Sequence, residues 1–480
     1  MTDIVIIGAG ITGCFLARDL SRYNVSIAVL EKENDVASGA TMANSAIIHS
    51  GHDPKEGTLK AKLNVRGNQM YEEICKELDC TFMRIGAYVL ATNQEENETL
   101  LQLKKQADSR QVPCCIQTRE EIIKKEPQLS DQVISGLWLP STGILYPWEI
   151  AIALMENAIS NGVDLKLDEE VIKIEKIDQG YRVKTKNQTI DTKIVINCSG
   201  VYADDLYATL IQRKDFSITA RKGEYFVLDH MKKPYVNHVL YPVPSKIGKG
   251  VLVVPTIHDN ILLGPTSYEV DDKYAINNTQ KGLDFVRGQL SKIVKDVPFD
   301  KMIRTFAGNR PSGNTKDFII EESKEYPDFF NVAAIESPGL ASAPAISEMV
   351  VGLILDKHAL NKKGNVIKVN RPKVRVKDCS IDEKNELVKK DKRYAKMICR
   401  CEQITEAEII DAIHRPCGAT SVKGVKKRVG PGLGRCQGGF CEPLVVEILA
   451  RELNKDPQEI VLDNLDSKML VERTKQNENN

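Results

Sequence analysis

Four cysteines stand in two close doublets, Cys399-Arg400-Cys401 and Cys436-Gln437-Gly438-Gly439-Phe440-Cys441, separated by an interval of helical character. Thiolates spaced CxC and CxxxxC can each reach one iron of a two-iron centre, so Cys399, Cys401, Cys436 and Cys441 suit a [2Fe-2S] cluster. Gly430, Gly432, Gly434, Gly438 and Gly439 free backbone N–H groups to face cluster sulfurs, while Lys423, Lys426, Lys427, Arg428 and Arg435 offset its negative charge. A structural zinc is the alternative, although zinc doublets are usually spaced CxxC.

A second stretch with chemistry opens the chain. Asp3-Ile4-Val5-Ile6-Ile7 runs straight into Gly8-Ala9-Gly10-Ile11-Thr12-Gly13, a strand feeding a GxGxxG loop and then an amphipathic helix over 11–23. Gly8 allows the tight turn, Gly10 lets a pyrophosphate approach the backbone, and Gly13 lets helix and strand pack closely. The next strand, 25–30, ends at Glu31, placed to accept hydrogen bonds from an adenosine ribose. Small residues crowd 37–46, including Ser45, and let the backbone lie against a flat group such as a flavin ring. His49 follows on this loop as a candidate base, its imidazole neutral near pH 7, with His52 as its substitute. Arg310, on an expected turn after a strand at 303–306, is the candidate grip for an anionic substrate.

The elements that must hold these groups alternate. Apolar spacing predicts helices over 57–78, 95–110 and 147–161, and strands over 84–92, 171–185 and 193–197. The strand at 193–197 closes on Cys198-Ser199-Gly200, again the place where an α/β sheet meets its ligand. Short apolar runs with Pro and Gly between 221 and 264 predict an antiparallel sheet. Ser337-Pro338-Gly339-Leu340 starts a helix to about 355 whose N-terminus can face the pyrimidine edge of a flavin. Residues 361–396 are so highly charged that they read as a linker or weakly packed connector.

Length and charge set the limits. At 480 residues the chain exceeds one core, and 66 Lys plus Arg against 66 Asp plus Glu leave no global field for nucleic acid. A strand starting at residue 3 leaves no room for a signal peptide, and apolar runs such as 349–355 fall short of a bilayer span. The expectation is a cytoplasmic protein without an integral membrane segment, with peripheral attachment through a partner left open. Twelve cysteines spaced unevenly do not form a disulfide framework.

Residues 1–355 resemble the D-amino-acid-oxidase superfamily of FAD proteins, and within it the branch of L-2-hydroxyglutarate and glycerol-3-phosphate dehydrogenases. Asn44-Ser45-Ala46-Ile47-Ile48-His49-Ser50-Gly51, Arg221-Lys222-Gly223-Glu224-Tyr225, Ala307-Gly308-Asn309-Arg310-Pro311 and Ser337-Pro338-Gly339-Leu340 carry the likeness. Residues 397–449 are similar to bacterioferritin-associated-ferredoxin domains, and the combination resembles the catalytic subunits of anaerobic glycerol-3-phosphate dehydrogenases. One departure is His52-Asp53, where membrane-associated relatives carry an Arg-Tyr pair for substrate phosphate.

The resemblance implies an α/β fold: a Rossmann-type FAD-binding domain (1–83, 147–215, 301–360) with an inserted antiparallel β-sheet substrate domain (84–146, 216–300). A charged linker (361–396), a small helical [2Fe-2S] domain (397–452) and a polar tail (453–480) would follow. The implied cofactors are FAD, contacted by Gly8, Gly10, Gly13, Glu31, Ser45, Gly200, Gly339 and Leu340, and the [2Fe-2S] cluster. The implied reaction is oxidation of a secondary alcohol on a small anionic substrate, with hydride passing to flavin N5 and His49 and Arg310 in the catalytic roles. Glycerol 3-phosphate is the leading substrate and a 2-hydroxy acid the second. Electrons would leave through the cluster to a separate protein, and a chain acting chiefly as an electron-transfer or redox-sensing subunit is the alternative of another class.

Overall fold

The computed structural model describes residues 1–244 and 250–472. Its organising element is the strand Thr2–Ile7, fully apolar in its second half and hydrogen-bonded in parallel to Ile27–Leu30 on one side and Thr189–Asn197 on the other. Register places Ile7 beside both Leu30 and Asn197, so the three strands end level. Their continuations, Gly8, Glu31 and Cys198-Ser199-Gly200, therefore emerge side by side at the carboxyl edge, where open α/β sheets bind ligands. Phe329–Ala333 extends this eight-stranded sheet in parallel, and the hairpin Val171–Ile177 with Gly180–Thr185 extends it antiparallel.

The helices Ile11–Leu20, Leu59–Glu77, Pro147–Ser160 and Gly339–Lys357 bury one face of this sheet. Leu59–Glu77 and Gly339–Lys357 touch at Gly67, where a Cβ would lie 2.1 Å from the Ala341 carbonyl oxygen. The helix Gly339–Lys357, at 19 residues, is long and apolar enough to cross a membrane by length and composition alone, which corrects the expectation drawn from shorter apolar runs. Here it is a core helix, with Ala341, Ala343, Ile346, Val350 and Ile354 buried.

A second, nine-stranded sheet is built from segments between 87 and 313. Its strands pair antiparallel except for Val239–Pro242, which runs parallel to Ala87–Ala91. The strand Met302–Gly313 belongs here, pairing with Ile218–Leu228 from Ile218 opposite Gly313 to Leu228 opposite Met302. Two sequence expectations change as a result. Residues 302–313 leave the flavin unit for the second sheet, and Arg310 sits inside a strand instead of on a turn. Ala-Gly-Asn reads as turn chemistry, but Gly308 answers a different need: a Cβ there would meet the Ala43 oxygen at 2.6 Å, so glycine admits the small-residue loop.

The charged segment is packed in part: its stretch 370–376 is tied to the flavin unit, while the helix that follows buries no residue. Asn370 is buried and donates to the Ala153 oxygen at 2.8 Å, Arg375 pairs with Asp79 at 3.0 Å, and Lys373 with Glu149 at 3.3 Å. Lys373 and Arg375 thus pair with carboxylates on the outer surface of the flavin unit. A capped helix, Ile381–Lys390, then leads to the C-terminal module of Glu406–His414, Val422–Val429 and Glu442–Leu453, which has its own apolar core. The start of the expected polar tail packs on that module: Ile460 and Val461 are buried, and Val422 donates to the Val461 oxygen at 3.1 Å. Residues 473–480 of the tail lie outside the described residues.

Candidate active site and iron–sulfur centre

A cavity of about 2120 Å³ runs from the ends of the parallel strands to the second sheet. Gly8, Gly10, Glu31, Ser45, His49, Gly200, Arg310, Gly339 and Leu340 all line it, whereas Gly13 lies behind the loop. Gly13 works by packing: a Cβ would sit 2.0 Å from the Gly8 oxygen. At Gly10 a Cβ would meet only Thr41 Oγ1, at 3.4 Å, and at Gly200 nothing within 4 Å, so the backbone is bare toward the cavity where a pyrophosphate would approach. The volume exceeds the roughly 300–1,000 Å³ of an ordinary small-ligand pocket, and the cavity can take an extended dinucleotide together with a substrate. These residues fit FAD.

Glu31 ends its strand as expected. Its carboxylate accepts from Ala9 N at 2.7 Å and Glu33 N at 3.1 Å, which ties the second strand to the glycine loop. Burial raises its pKa against those two hydrogen bonds. Lys32 beside it lies 4.3 Å from the Tyr202 ring centroid and 4.9 Å from that of Tyr274, so both sheets contribute to this end of the cavity.

At the other end the loop 37–46 passes between the sheets. Thr41 Oγ1 accepts from Ile11 N at 2.9 Å, Asn44 Oδ1 accepts from Ala46 N at 2.7 Å, and the Ser45 and Tyr225 hydroxyls meet at 3.1 Å. His49 follows the short strand Ile47–Ile48, and its carbonyl accepts from Asn64 at 2.7 Å and Asn68 at 3.0 Å, both buried on the helix Leu59–Glu77. His49 Nδ1 lies 3.1 Å from the hydroxyl of Tyr241, a phenol whose pKa burial pushes far up. His52 is buried against Ser50, 2.9 Å from its hydroxyl, and does not line the cavity, so position favours His49 as the base. Tyr241 was missed in the sequence because 192 residues separate it from His49.

Arg310 faces Arg221 directly across the antiparallel pair, and both line the cavity. The Arg310 guanidinium is braced by carbonyls, with Nη2 donating to Thr266 at 2.9 Å and Nε to Arg221 at 3.4 Å. Arg221 Nη2 bonds Glu269 at 3.1 Å, while its buried Nε has no partner among the described residues. Glu269 supplies a counter-charge to Arg221, whereas the partners of Arg310 among the described residues are neutral carbonyls, which suits an anionic ligand at Arg310. Tyr225 stacks on Phe306 with centroids 4.6 Å apart, and Arg310 works against the upward push of burial on its phenol. Lys222 is buried on Asn277, Nζ to Oδ1 3.1 Å, and does not line the cavity.

In the C-terminal module the four cysteines meet in two pairs, each joining one doublet to the other. Cys401 Sγ lies 3.8 Å from Cys436 Sγ, and the Cys399 thiol meets that of Cys441. Cys399 and Cys441 are buried, Cys401 and Cys436 exposed. The Cys441 hydrogen bond, and then backbone N–H groups of Glu402, Gly432 and Cys401, draw the Cys399 thiol down against the effect of burial. Converging N–H donors are what cluster sulfurs and thiolates require, and a Cβ at Gly434 would lie 2.4 Å from the Cys401 Cβ, so glycine also makes room for the ligand loop. Among the described residues, no three His, Cys, Asp or Glu side chains are gathered as around one metal ion. The donor set, all sulfur with backbone amides, fits a two-iron cluster.

Comparison with known proteins matches residues 3–353 to the family of FAD dependent oxidoreductases and residues 397–451 to BFD-like [2Fe-2S] binding domains. The chain is 48% identical over 477 residues to a glycerol 3-phosphate dehydrogenase of Caloramator mitchellensis, covering 99% of each chain. It is 33% identical to a glycerol 3-phosphate oxidase of Mycoplasma pneumoniae over 76% of this chain and 96% of that one. Human mitochondrial L-2-hydroxyglutarate dehydrogenase is 32% identical over 55% of this chain and 60% of its own. Among solved structures, the dithionite-reduced L-alpha-glycerophosphate oxidase of Mycoplasma pneumoniae with FAD bound superposes with a TM-score of 0.74 at 32% identity, covering 78% of this chain and 99% of that one.

Proposed function

Because the chain belongs to the family of FAD dependent oxidoreductases and carries a BFD-like [2Fe-2S] domain, we propose that it oxidises sn-glycerol 3-phosphate to dihydroxyacetone phosphate and passes the electrons to a separate acceptor. The observation that carries this reading is the meeting of His49 and the Arg310–Arg221 pair on the walls of one FAD-sized cavity. The full-length likeness to a glycerol 3-phosphate dehydrogenase supports it. FAD, when bound, supplies the acceptor for the hydride that leaves the alcohol carbon. The chain's residues supply the rest. His49, with Nδ1 3.1 Å from the Tyr241 hydroxyl, takes the proton from the substrate hydroxyl, and the two asparagines hold its backbone in place. Arg310, stiffened by its carbonyl contacts, presents its guanidinium to the phosphate as a planar donor.

Cys399, Cys401, Cys436 and Cys441 are the ligands of the cluster in this reading. The exposed pair, Cys401 and Cys436, marks the exit side, beside Phe440, 72% exposed, and Arg400, whose guanidinium carbon lies 5.6 Å from the Phe440 ring centroid. An acceptor protein docking there would come close to the sulfur ligands.

Anaerobic addition of glycerol 3-phosphate tests the reading. Bleaching of the flavin band at a rate matching turnover is the expected result. Bleaching by L-2-hydroxyglutarate alone would reassign the substrate to a 2-hydroxy acid, which Arg310 could hold by its carboxylate. Rapid peroxide release in air at the full turnover rate would overturn the separate acceptor.

A further inference from the structure

The loop that opens the flavin cavity is gripped from outside by the C-terminal module. Asp35 is buried, and its carboxylate takes both guanidinium arms of Arg428, at 2.9 Å each, and the Lys427 amine at 2.8 Å. Lys427 Nζ also donates to the Val36 oxygen at 2.8 Å and reaches Ser38 Oγ at 3.4 Å. Both cations sit in the helix Val422–Val429 and are themselves buried. On its inner side the same loop is tied to the nucleotide motif: Ala37 donates to the Ala9 oxygen at 2.9 Å, Thr41 accepts from Ile11 N, and Ser38 to Ser45 line the cavity. The span from Asp35 to Ser38 is therefore held at once by the iron–sulfur module and by the backbone of the GxGxxG loop.

We propose that Asp35, Lys427 and Arg428 are positioning residues for FAD, so that FAD binding is coupled to this one contact of the iron–sulfur module with the loop 35–38, and not to docking of the module at large. The inference rests on FAD occupying the cavity, and it does not depend on which alcohol is oxidised. Three buried charges have no cheap alternative position, because separating them strands an unpaired charge away from water. Holding the loop in its binding conformation before FAD arrives removes an ordering cost from binding. Linkage makes the effect mutual: whatever factor this contact adds to FAD affinity, FAD returns to the contact.

Equilibrium titration of deflavinated full-length protein with FAD tests this, with cluster content followed separately by iron analysis and paramagnetic resonance of the reduced protein. Lys427→Met is expected to weaken FAD binding at least tenfold with cluster content unchanged. Arg415→Gln breaks another buried contact of the module, to Glu156 on the helix Pro147–Ser160, away from the loop; it is expected to leave FAD affinity within twofold of wild type. A Lys427→Met affinity within twofold of wild type, or an equal loss in both variants, overturns the proposal. If Lys427→Met does not fold, hydrogen exchange on the wild type decides: FAD should slow exchange of the amides of 422–429, and unchanged exchange there overturns the coupling.

Discussion

Two glycine-rich loops serve the two redox sites, and they use glycine for different reasons. In the loop 8–13 the constraint is space: the Gly8 oxygen stands where a Gly13 side chain would be, 2.0 Å away, because strand and helix are pressed together. In the loop 430–441 Gly434 is also short of room, beside Cys401, but at Gly430 and Gly432 the constraint is backbone conformation. Gly432 has a φ of +88°, and a Cβ there would meet its nearest neighbour only at 3.6 Å. The first loop is rigid because it is wedged into a sheet, whereas the second is shaped by left-handed turns at the rim of a small helical module. The flavin loop should thus fail abruptly when its packing is touched, and the cluster loop by degrees.

The largest expected effect is Gly13→Ala. A methyl group has no room, and forcing the helix off the strand costs about 3 kcal/mol. Flavin per chain, read from absorbance of the purified protein, should fall to a small fraction of wild type while the iron content stays. Equal loss of iron and flavin would break the comparison by showing that the two loops do not fail separately.

Next come two variants that separate the sites by function. His49→Gln should slow anaerobic flavin reduction by about 10²–10⁴-fold, the usual range for a lost general base, with substrate affinity little changed because Arg310 remains. Cys436→Ser should do the reverse, leaving flavin reduction by substrate intact and abolishing electron delivery to the natural acceptor. Full turnover in Cys436→Ser would remove the cluster from the electron route and favour a sensing role.

How much of this contrast could be read in the sequence depends on how far apart the partners lie. The apolar strand, the three glycines and Glu31 form one local signal, and they fold as read, with Gly8 and Glu31 emerging at level strand ends. The cysteine doublets were equally plain, though the approach of Cys401 to Cys436 required the fold. Arg310 lines the cavity from within a strand and not from the expected turn, since Gly308 mimics a turn residue while admitting Ala43. Tyr241 gave no signal, and Arg221 gave one only within the stretch 221–225 that carries the family likeness, because each gains its meaning from a neighbour on a distant strand. The segment 361–396 misled through composition: charge density marks a loose linker only when charges are solvated, and here Lys373 and Arg375 find carboxylates on the flavin unit. Asp35 was read as part of no motif, and its partner Arg428 lies 393 residues on.

A smaller effect is expected at Gly432→Ala. The left-handed conformation costs an alanine about 1 kcal/mol, and with open space around the Cβ nothing is added by collision. Cluster lifetime in air, followed by visible absorbance, should shorten several-fold without loss of flavin. A fall as large as that of Gly13→Ala would show that the cluster loop is wedged as tightly as the flavin loop.

The smallest effect is in the pH dependence of the joint between the two regions, and its sign follows from Asp35. Burial works against the carboxylate, but Arg428 and then Lys427 outweigh it and hold the folded pKa well below the ordinary value of 3.8. A carboxylate with a depressed folded pKa adds stability that is fully present above the unfolded pKa and is lost as pH falls through the folded one. The joint should therefore be indifferent to pH between about 5 and 8 and weaken only below about 4, the ordinary carboxylate range. Urea unfolding of the module, followed through cluster absorbance in wild type and Asp35→Asn, measures this. The difference between the two proteins should stay constant across the neutral range and shrink in acid. A difference that already fades between pH 7 and 6 would mean that a histidine, and not Asp35, controls how the cluster module is held to the flavin unit.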